Sequence, residues 1–348
     1  MNKGGIGIHL DSSLGAPDQP PPSREAVINF AESLLAQAEA AEKAGFEYIG
    51  VSDRHARTET YFPSHLILCA LIAARTSKPT IGTWCTVMTL HNPYQYAEDT
   101  AMIDLISRGR FIPTLGVGYH DDYWRSFGMS KKWRGKRFEE QLKILRLAWS
   151  GEKFSFEGEF YNFEDAFLSP KPYQEPHPPI WIGAQVDVAI ERAGREGDAW
   201  GVDPFPLKPE LWKQQVNIYK EAAAKAGKEP YIVMMRDGFV APTRLQAYEI
   251  YGESVLSELR DYFRHGILSH HPDFRSETDL TLDRVKDHLV LGSPQDCIES
   301  LERFREQFDA DSIILRLRPP RGPSHEQILD CMQLFGEEVI PHFRGTQA

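Results

Sequence analysis

The sequence predicts an α/β fold of the (β/α)8 TIM-barrel class, a closed parallel sheet ringed by helices, and three observations predict it. Short apolar runs alternate with segments of helical periodicity, the alternation yields eight strands, and polar residues suited to chemistry gather just after those strands. Parallel neighbours need a crossover, and the crossover is usually a helix. A barrel of about 250 residues plus insertions accounts for one domain over 1–348. An open, doubly wound sheet is the alternative, but the first strand–helix loop lacks the GxGxxG fingerprint of its dinucleotide-binding form.

The apolar run Ile6–Leu10 (IGIHL) is the first strand, followed by a loop carrying Pro20, Pro21 and Pro22. From Arg24 onward Val27, Phe30, Leu34, Leu35, Ala38 and Ala41 fall at helical spacing, and Gly45 is placed to stop the helix. Strands at 48–52 and 80–87 alternate with helices at 64–75 and 94–107. A fourth strand at 111–117 precedes a helix over 135–149, where Phe138, Leu142, Leu145 and Trp149 share a face. Residues 153–163 read as a hairpin turning at Glu157 and Gly158, within an insertion over about 150–178 after strand four. Strands at 179–183, 199–202 and 231–241 then alternate with helices at 187–196 and 209–226. A polar, helix-prone insertion over about 243–291, after strand seven, precedes the helix over 294–308 and the eighth strand at 312–317.

Composition narrows the function classes. With 41% hydrophobic and 26% charged residues the chain is able to bury a large core. The net charge is −11 and no long basic run is present, which argues against nucleic acid or an anionic membrane as partner. Cys69, Cys85, Cys297 and Cys331 form neither a CxxC pair nor a metal-ligand spacing, so no metal and no disulfide framework is expected. The N-terminus lacks the apolar stretch of a signal peptide, and no run approaches the roughly 20 apolar residues of a membrane span. A cytoplasmic protein is the expectation.

A barrel of this class carries its active site at the C-terminal ends of the strands. The first strand carries His9 and ends at Asp11, and the second runs into Ser52, Asp53, Arg54 and His55. The third ends near Cys85 and Thr86, the fourth at Gly118, Tyr119 and His120, and the fifth at Gly183, Ala184 and Gln185. Arg236 and Asp237 fall in the seventh, and Arg316 and Arg318 close the eighth. His55 is the leading catalytic residue, because an imidazole takes or gives a proton near neutral pH; the alternative is a surface or capping histidine. Asp53 orients or caps. His9 is either a satisfied core histidine or part of the pocket wall. The adjacent His270 and His271 do not suggest a metal, since side chains at i and i+1 seldom converge. The stretch 266–274 reads instead as a mobile lid, and deletion of its insertion is expected to spoil turnover more than fold.

Four segments then carry a resemblance. AEDTAMIDLISRGRF with the following LGVGY and RSFG, AEKAGFEYIGVSDRH around the second strand, PPIWIGAQ at the fifth and GSPQDCIESLERF near the end together resemble the bacterial luciferase-like flavin-dependent oxidoreductases. The matching segments span Ile6 to Leu317. This resemblance implies reduced FMN, or a deazaflavin coenzyme, at the barrel mouth, in contact with His9, Cys85, Thr86, Gly118, Tyr119, Gly183, Ala184 and Gln185. The phosphate would meet the loops after strands four and five, where Gly118 and Gly183 allow close approach. The resemblance also implies a non-prolyl cis peptide in strand three, which GTWCT places at Trp84–Cys85. Luciferase members carry an arginine at about Val117, so that phosphate clamp is missing here, and Arg316 and Arg318 form a reserve anionic subsite. The implied activity is monooxygenation of a small organic substrate by reduced FMN and oxygen. A separate NAD(P)H:flavin reductase would supply the flavin, and the chain would form a homodimer. Hydride transfer from a deazaflavin is the alternative activity. A hydrolase using Asp53, Asp203 or Asp237, and a flavin-binding protein without turnover, are the other classes.

Overall fold

The computed structural model describes residues 3–15, 19–57, 62–202, 209–264, 266, 268 and 274–344. In chain order the strands are β1 (Ile6–Leu10), β2 (Tyr48–Val51), β3 (Thr80–Thr83), β4 (Thr86–Val87), β5 (Phe111–Ile112), β6 (Thr114–Gly116), β7 (Phe154–Glu157), β8 (Asn162–Ala166), β9 (Trp181–Gly183), β10 (Ala199–Val202), β11 (Ile232–Val240), β12 (Val290–Gly292) and β13 (Ser312–Arg316). Two barrel strands are each broken into two pieces. β3 and β4 flank the Trp84–Cys85 peptide, which is cis, and β5 and β6 flank Pro113, which has no N–H to give to a ladder. With each pair taken as one strand, parallel pairing runs β1, β2, β3/β4, β5/β6, β9, β10, β11, β13 and returns to β1. Eight strands therefore close a ring, the predicted barrel. The Pro113 carbonyl still accepts from the Trp181 N–H at 3.0 Å, which holds the sheet together across the break.

Every residue of β1 and β11 is buried, because a barrel strand meets packed side chains on both faces. The period of two decides which face each side chain takes. Tyr48, Val233, Met235 and Ile314 pack with Trp84 and Trp181 inside the barrel, while Ile49, Ile232, Met234 and Ile313 belong to the outer core beneath the helices. Tyr48 stacks on Trp181 with ring centroids 5.3 Å apart and donates its hydroxyl to the Thr83 carbonyl at 3.2 Å. Gly82 makes room for that tyrosine: a Cβ there would lie 2.2 Å from the Ile112 carbonyl oxygen and 2.5 Å from the Tyr48 hydroxyl. The body of the barrel is filled, so the space for a ligand lies at its mouth.

The helices are α1 (Arg24–Ala44), α2 (His65–Arg75), α3 (Pro93–Ser107), α4 (Asp121–Ser126), α5 (Arg134–Trp149), α6 (Asp187–Glu196), α7 (Pro209–Lys225), α8 (Arg244–Arg264), α9 (Leu282–Val285), α10 (Pro294–Phe308), α11 (His325–Leu334) and α12 (Ile340–Arg344). α1 starts at Ser23, whose hydroxyl accepts from the Ala26 N–H, and stops at Gly45 with φ 89°, as its periodicity and that glycine predict. Asn92 caps α3 and Ser293 caps α10, each followed by a proline at the first turn, where its missing N–H leaves no bond unmade. Among the described residues, no helix is long and apolar enough to cross a membrane.

The structure changes the sequence reading in two places. The hairpin of β7 and β8 turns over 158–161, closed by Gly158 N–H to the Tyr161 carbonyl at 3.0 Å, so its second strand extends to Ala166 and not only to 163. The stretch 243–291 is also less detachable than expected. α8 buries Tyr251, Val255 and Leu259 in the core, and β12 extends the sheet by pairing with the end of β11. Deleting the whole stretch would open the core, so it cannot separate turnover from fold. Residues 269–273, including His270 and His271, lie outside the described residues.

Candidate active site

The loops beyond the strand ends surround a cavity of about 230 Å³ that opens to solvent. His9 of β1, Cys85 and Thr86 at the break in strand three, Gly118 and Tyr119 after β6, and Gly183, Ala184 and Gln185 at the end of β9 all line it. The eight residues expected at a cofactor thus line one cavity. His55 is not in that lining.

Asp53, which does line the cavity, organises the region where His55 lies. Its Oδ1 is 2.7 Å from His55 Nε2 and 3.1 Å from His65 Nδ1, and its Oδ2 is 3.0 Å from His91 Nε2. The Val87 N–H donates to Oδ2 at 2.9 Å. Burial alone would raise the Asp53 carboxyl, but His65 foremost, with the hydrogen bonds of all three histidines, holds it well below the usual carboxylate range. Asp53 is a fixed negative charge. β2 ends at Val51, and the chain then turns so that Ser52, Asp53 and Arg54 face the cavity while His55 packs edge-on against Phe127, centroids 4.8 Å apart. His55 therefore meets the cavity lining through Asp53 and through Tyr123, against which it packs edge-on with centroids 5.8 Å apart.

The eighth strand corrects another expectation. Arg316 is bound by Asp237 at 2.6 and 3.0 Å and by Glu258 at 3.1 Å, all three buried. Burial works against the guanidinium charge, but Asp237, Tyr262 and Glu258 raise its pKa well above the ordinary value. Arg318 donates to the Ser13 and Pro323 carbonyls and lies over the Phe30 ring. Both cations are committed to the fold, so neither is a reserve subsite for an anion. The same contacts occupy Asp237, and three histidines occupy Asp53, which removes the carboxylate pair a hydrolase would need; Asp203 lies outside the described residues.

Glycines shape part of the cavity lining. A Cβ on Gly116 or Gly183 would lie 3.2 or 3.1 Å from Cys85 Sγ, so the two glycines make room for that thiol in the lining. Gly118, with φ 74°, could not carry a side chain without meeting Val87 and Trp124. Arg134, the first residue of α5, brings a cation to the same cavity.

Residues 12–311 match the family model described as luciferase-like monooxygenase. The chain belongs to the luciferase-like monooxygenase family. It is 25% identical over 333 residues to the oxygenase component of a flavin-dependent trigonelline monooxygenase from Acinetobacter baylyi, covering 91% of each chain. It is 27% identical to an F420-dependent glucose-6-phosphate dehydrogenase from Amycolatopsis mediterranei, covering 90% of this chain and 94% of that one. Its fold is that of the oxygenating constituent of 3,6-diketocamphane monooxygenase from Pseudomonas putida, a structure in complex with FMN. The TM-score is 0.82 at 18% identity, with 98% and 99% of the two chains covered.

The cavity of this luciferase-like chain fits a flavin on its own chemistry. A flat ring system finds glycines in the lining and a buried ring nitrogen without a hydrogen-bond partner, His9 Nδ1, in the same cavity. A phosphate finds the Arg134 cation and the loop at Gly118. Sequence reasoning did not single out Arg134, Tyr262, His65 or His91. Arg134 and Tyr262 sit on helices, where no strand end marks them. His65 opens α2 and His91 precedes α3, both at the C-terminal face of the barrel, and that shared face is the signal by which they were findable.

Proposed function

We propose that this protein is the oxygenase component of a two-component monooxygenase that uses reduced FMN and oxygen to oxidise a small organic substrate. A separate NAD(P)H:flavin reductase supplies the reduced flavin in this reading, since the first strand–helix loop lacks the GxGxxG fingerprint of a bound nicotinamide nucleotide. The observation that carries the reading is the convergence of His9, Cys85, Thr86, Gly118, Gly183 and their neighbours in the lining of one cavity. The kinship with an enzyme named as a flavin-dependent oxygenase component supports it.

Bound reduced flavin supplies the electrons that activate oxygen for transfer. The protein's part is binding, orientation and exclusion of water. Arg134 and the backbone around Gly118 would hold the phosphate, and the lining that includes Gly116, Gly183 and Cys85 would hold the ring. Trp84, Val87 and Met235 add apolar wall that keeps bulk water from the reacting atoms. Asp53 keeps a negative charge at the edge of the cavity. His55 sets its Nε2 2.7 Å from Asp53 Oδ1 and acts on the site through its neighbours, without lining the cavity itself.

Anaerobic titration with oxidised FMN, reduced FMN and a deazaflavin tests the reading. Tight binding of reduced FMN, followed by substrate-dependent oxygen uptake, is the expected result. Preference for the deazaflavin with no oxygen uptake would replace it by hydride transfer, the reading that the kinship with an F420-dependent dehydrogenase favours.

A further inference from the structure

His9 reaches the cavity from β1, in register between Arg316 of β13 and Gly50 of β2, and is 2% exposed. Its Nε2 lies 2.9 Å from Ser52 Oγ, and the Ser52 hydroxyl donates to the Trp84 carbonyl at 3.3 Å. A serine hydroxyl has one proton, and a carbonyl oxygen only accepts. With that proton committed to Trp84, the bond between His9 and Ser52 is donated by Nε2–H. Nδ1 is then a bare lone pair. Among the described residues nothing bonds to it. A buried acceptor without a partner is destabilising, and on a cavity wall it is explained when a ligand supplies the missing donor.

Resting on the flavin reading above, we propose that His9 is the recognition residue for the flavin ring, its Nδ1 accepting a hydrogen bond from a ring N–H. The oxidised ring carries such a donor at N3, and reduction adds another at N5; a deazaflavin has carbon at position 5 and lacks that second donor. The imidazole also stays neutral at working pH. Burial pushes His9 down to about 3, opposed by Asp11 and helped by Arg316 and Arg54, so Nδ1 remains an acceptor.

Two measurements test this. Nitrogen-15 spectra of histidine in the flavin-free protein are expected to show His9 with its proton on Nε2; a proton on Nδ1 overturns the proposal. His9→Gln sets an amide nitrogen where Nε2 stands, keeping the Ser52 bond while removing the Nδ1 acceptor. Wild type and H9Q are titrated anaerobically with oxidised and with reduced FMN, circular dichroism confirming the fold of each. Loss of about tenfold in affinity for both forms assigns the donor to N3, and loss for the reduced form alone assigns it to a donor that reduction adds. His9→Asn, which keeps a polar atom near the Nδ1 position, recovers part of the lost affinity. Equal affinity of wild type and H9Q for both forms overturns the role of His9. Wild-type protein that binds neither form overturns the flavin reading and the proposal with it, a result distinct from binding that ignores H9Q.

Discussion

Asp237 grips Arg316 with both carboxylate oxygens, Oδ1 at 2.6 Å from Nε and Oδ2 at 3.0 Å from Nη2. The pair ties β11 to β13 beside the cavity, and Glu258 joins α8 to the same guanidinium. Removing one partner of a buried ion pair leaves the other without compensation, a loss of about 3–5 kcal/mol. Asp237→Ala is expected to destabilise by that order, read from urea unfolding, and Asp237→Asn by less. A loss under about 1 kcal/mol for Asp237→Ala would show that the pair behaves like one on the surface.

His9 makes stability depend on pH in a definite direction. The folded protein holds it near 3, whereas the unfolded chain takes a proton at about 6.5. The contribution is therefore complete above about 6.5 and is lost as the pH falls toward 3, by at most about 1.4 kcal/mol per unit. Asp53, held well below 3.8, adds its own loss only as the pH falls below that value. In unfolding measurements between about pH 6.5 and pH 4.5, H9Q is expected to show a shallower slope than wild type. Equal slopes would mean that His9 is protonated in the folded state.

The barrel was legible because its strands are buried on both faces and read as apolar runs, with helices of clear periodicity between them. The strand-end rule then brought His9, Cys85 and Gly183 onto one list without a structure. It did not order them in depth. His55 lies one residue past Arg54 in the same loop, and nothing in SDRH tells which of these side chains turns away toward Phe127. The pairing of Arg316 with Asp237 was invisible for a different reason: 79 residues separate them, and a buried salt bridge leaves no mark on the spacing of either. Arg134 escaped because the rule examines strand ends and this cation enters from a helix.

Arg134→Ala separates phosphate binding from ring binding. FMN affinity is expected to fall about tenfold, the scale of one charge-assisted hydrogen bond, while riboflavin affinity stays the same. Equal losses for FMN and riboflavin would place Arg134 at the ring or in the fold.

His55→Ala tests whether the contact between His55 and Asp53 matters to turnover. FMN affinity is expected to be unchanged and turnover to drop by about tenfold or more, with an altered pH profile. Asp53→Asn is expected to lower both, because that carboxylate also anchors His65, His91 and the Val87 N–H. Full turnover in His55→Ala with normal FMN binding would leave His55 as a packing residue against Phe127.

Of the four cysteines, Cys69, Cys297 and Cys331 are buried, while Cys85 is partly open beside Gly116 and Gly183 in the cavity lining. Burial raises the pKa of those three thiols, which further slows their ionisation. One labelling reagent is therefore able to act as an occupancy gauge. A maleimide should modify Cys85 first, and any molecule seated in the cavity should shield it, so the rate of alkylation reports which small compounds enter the barrel mouth without recourse to turnover.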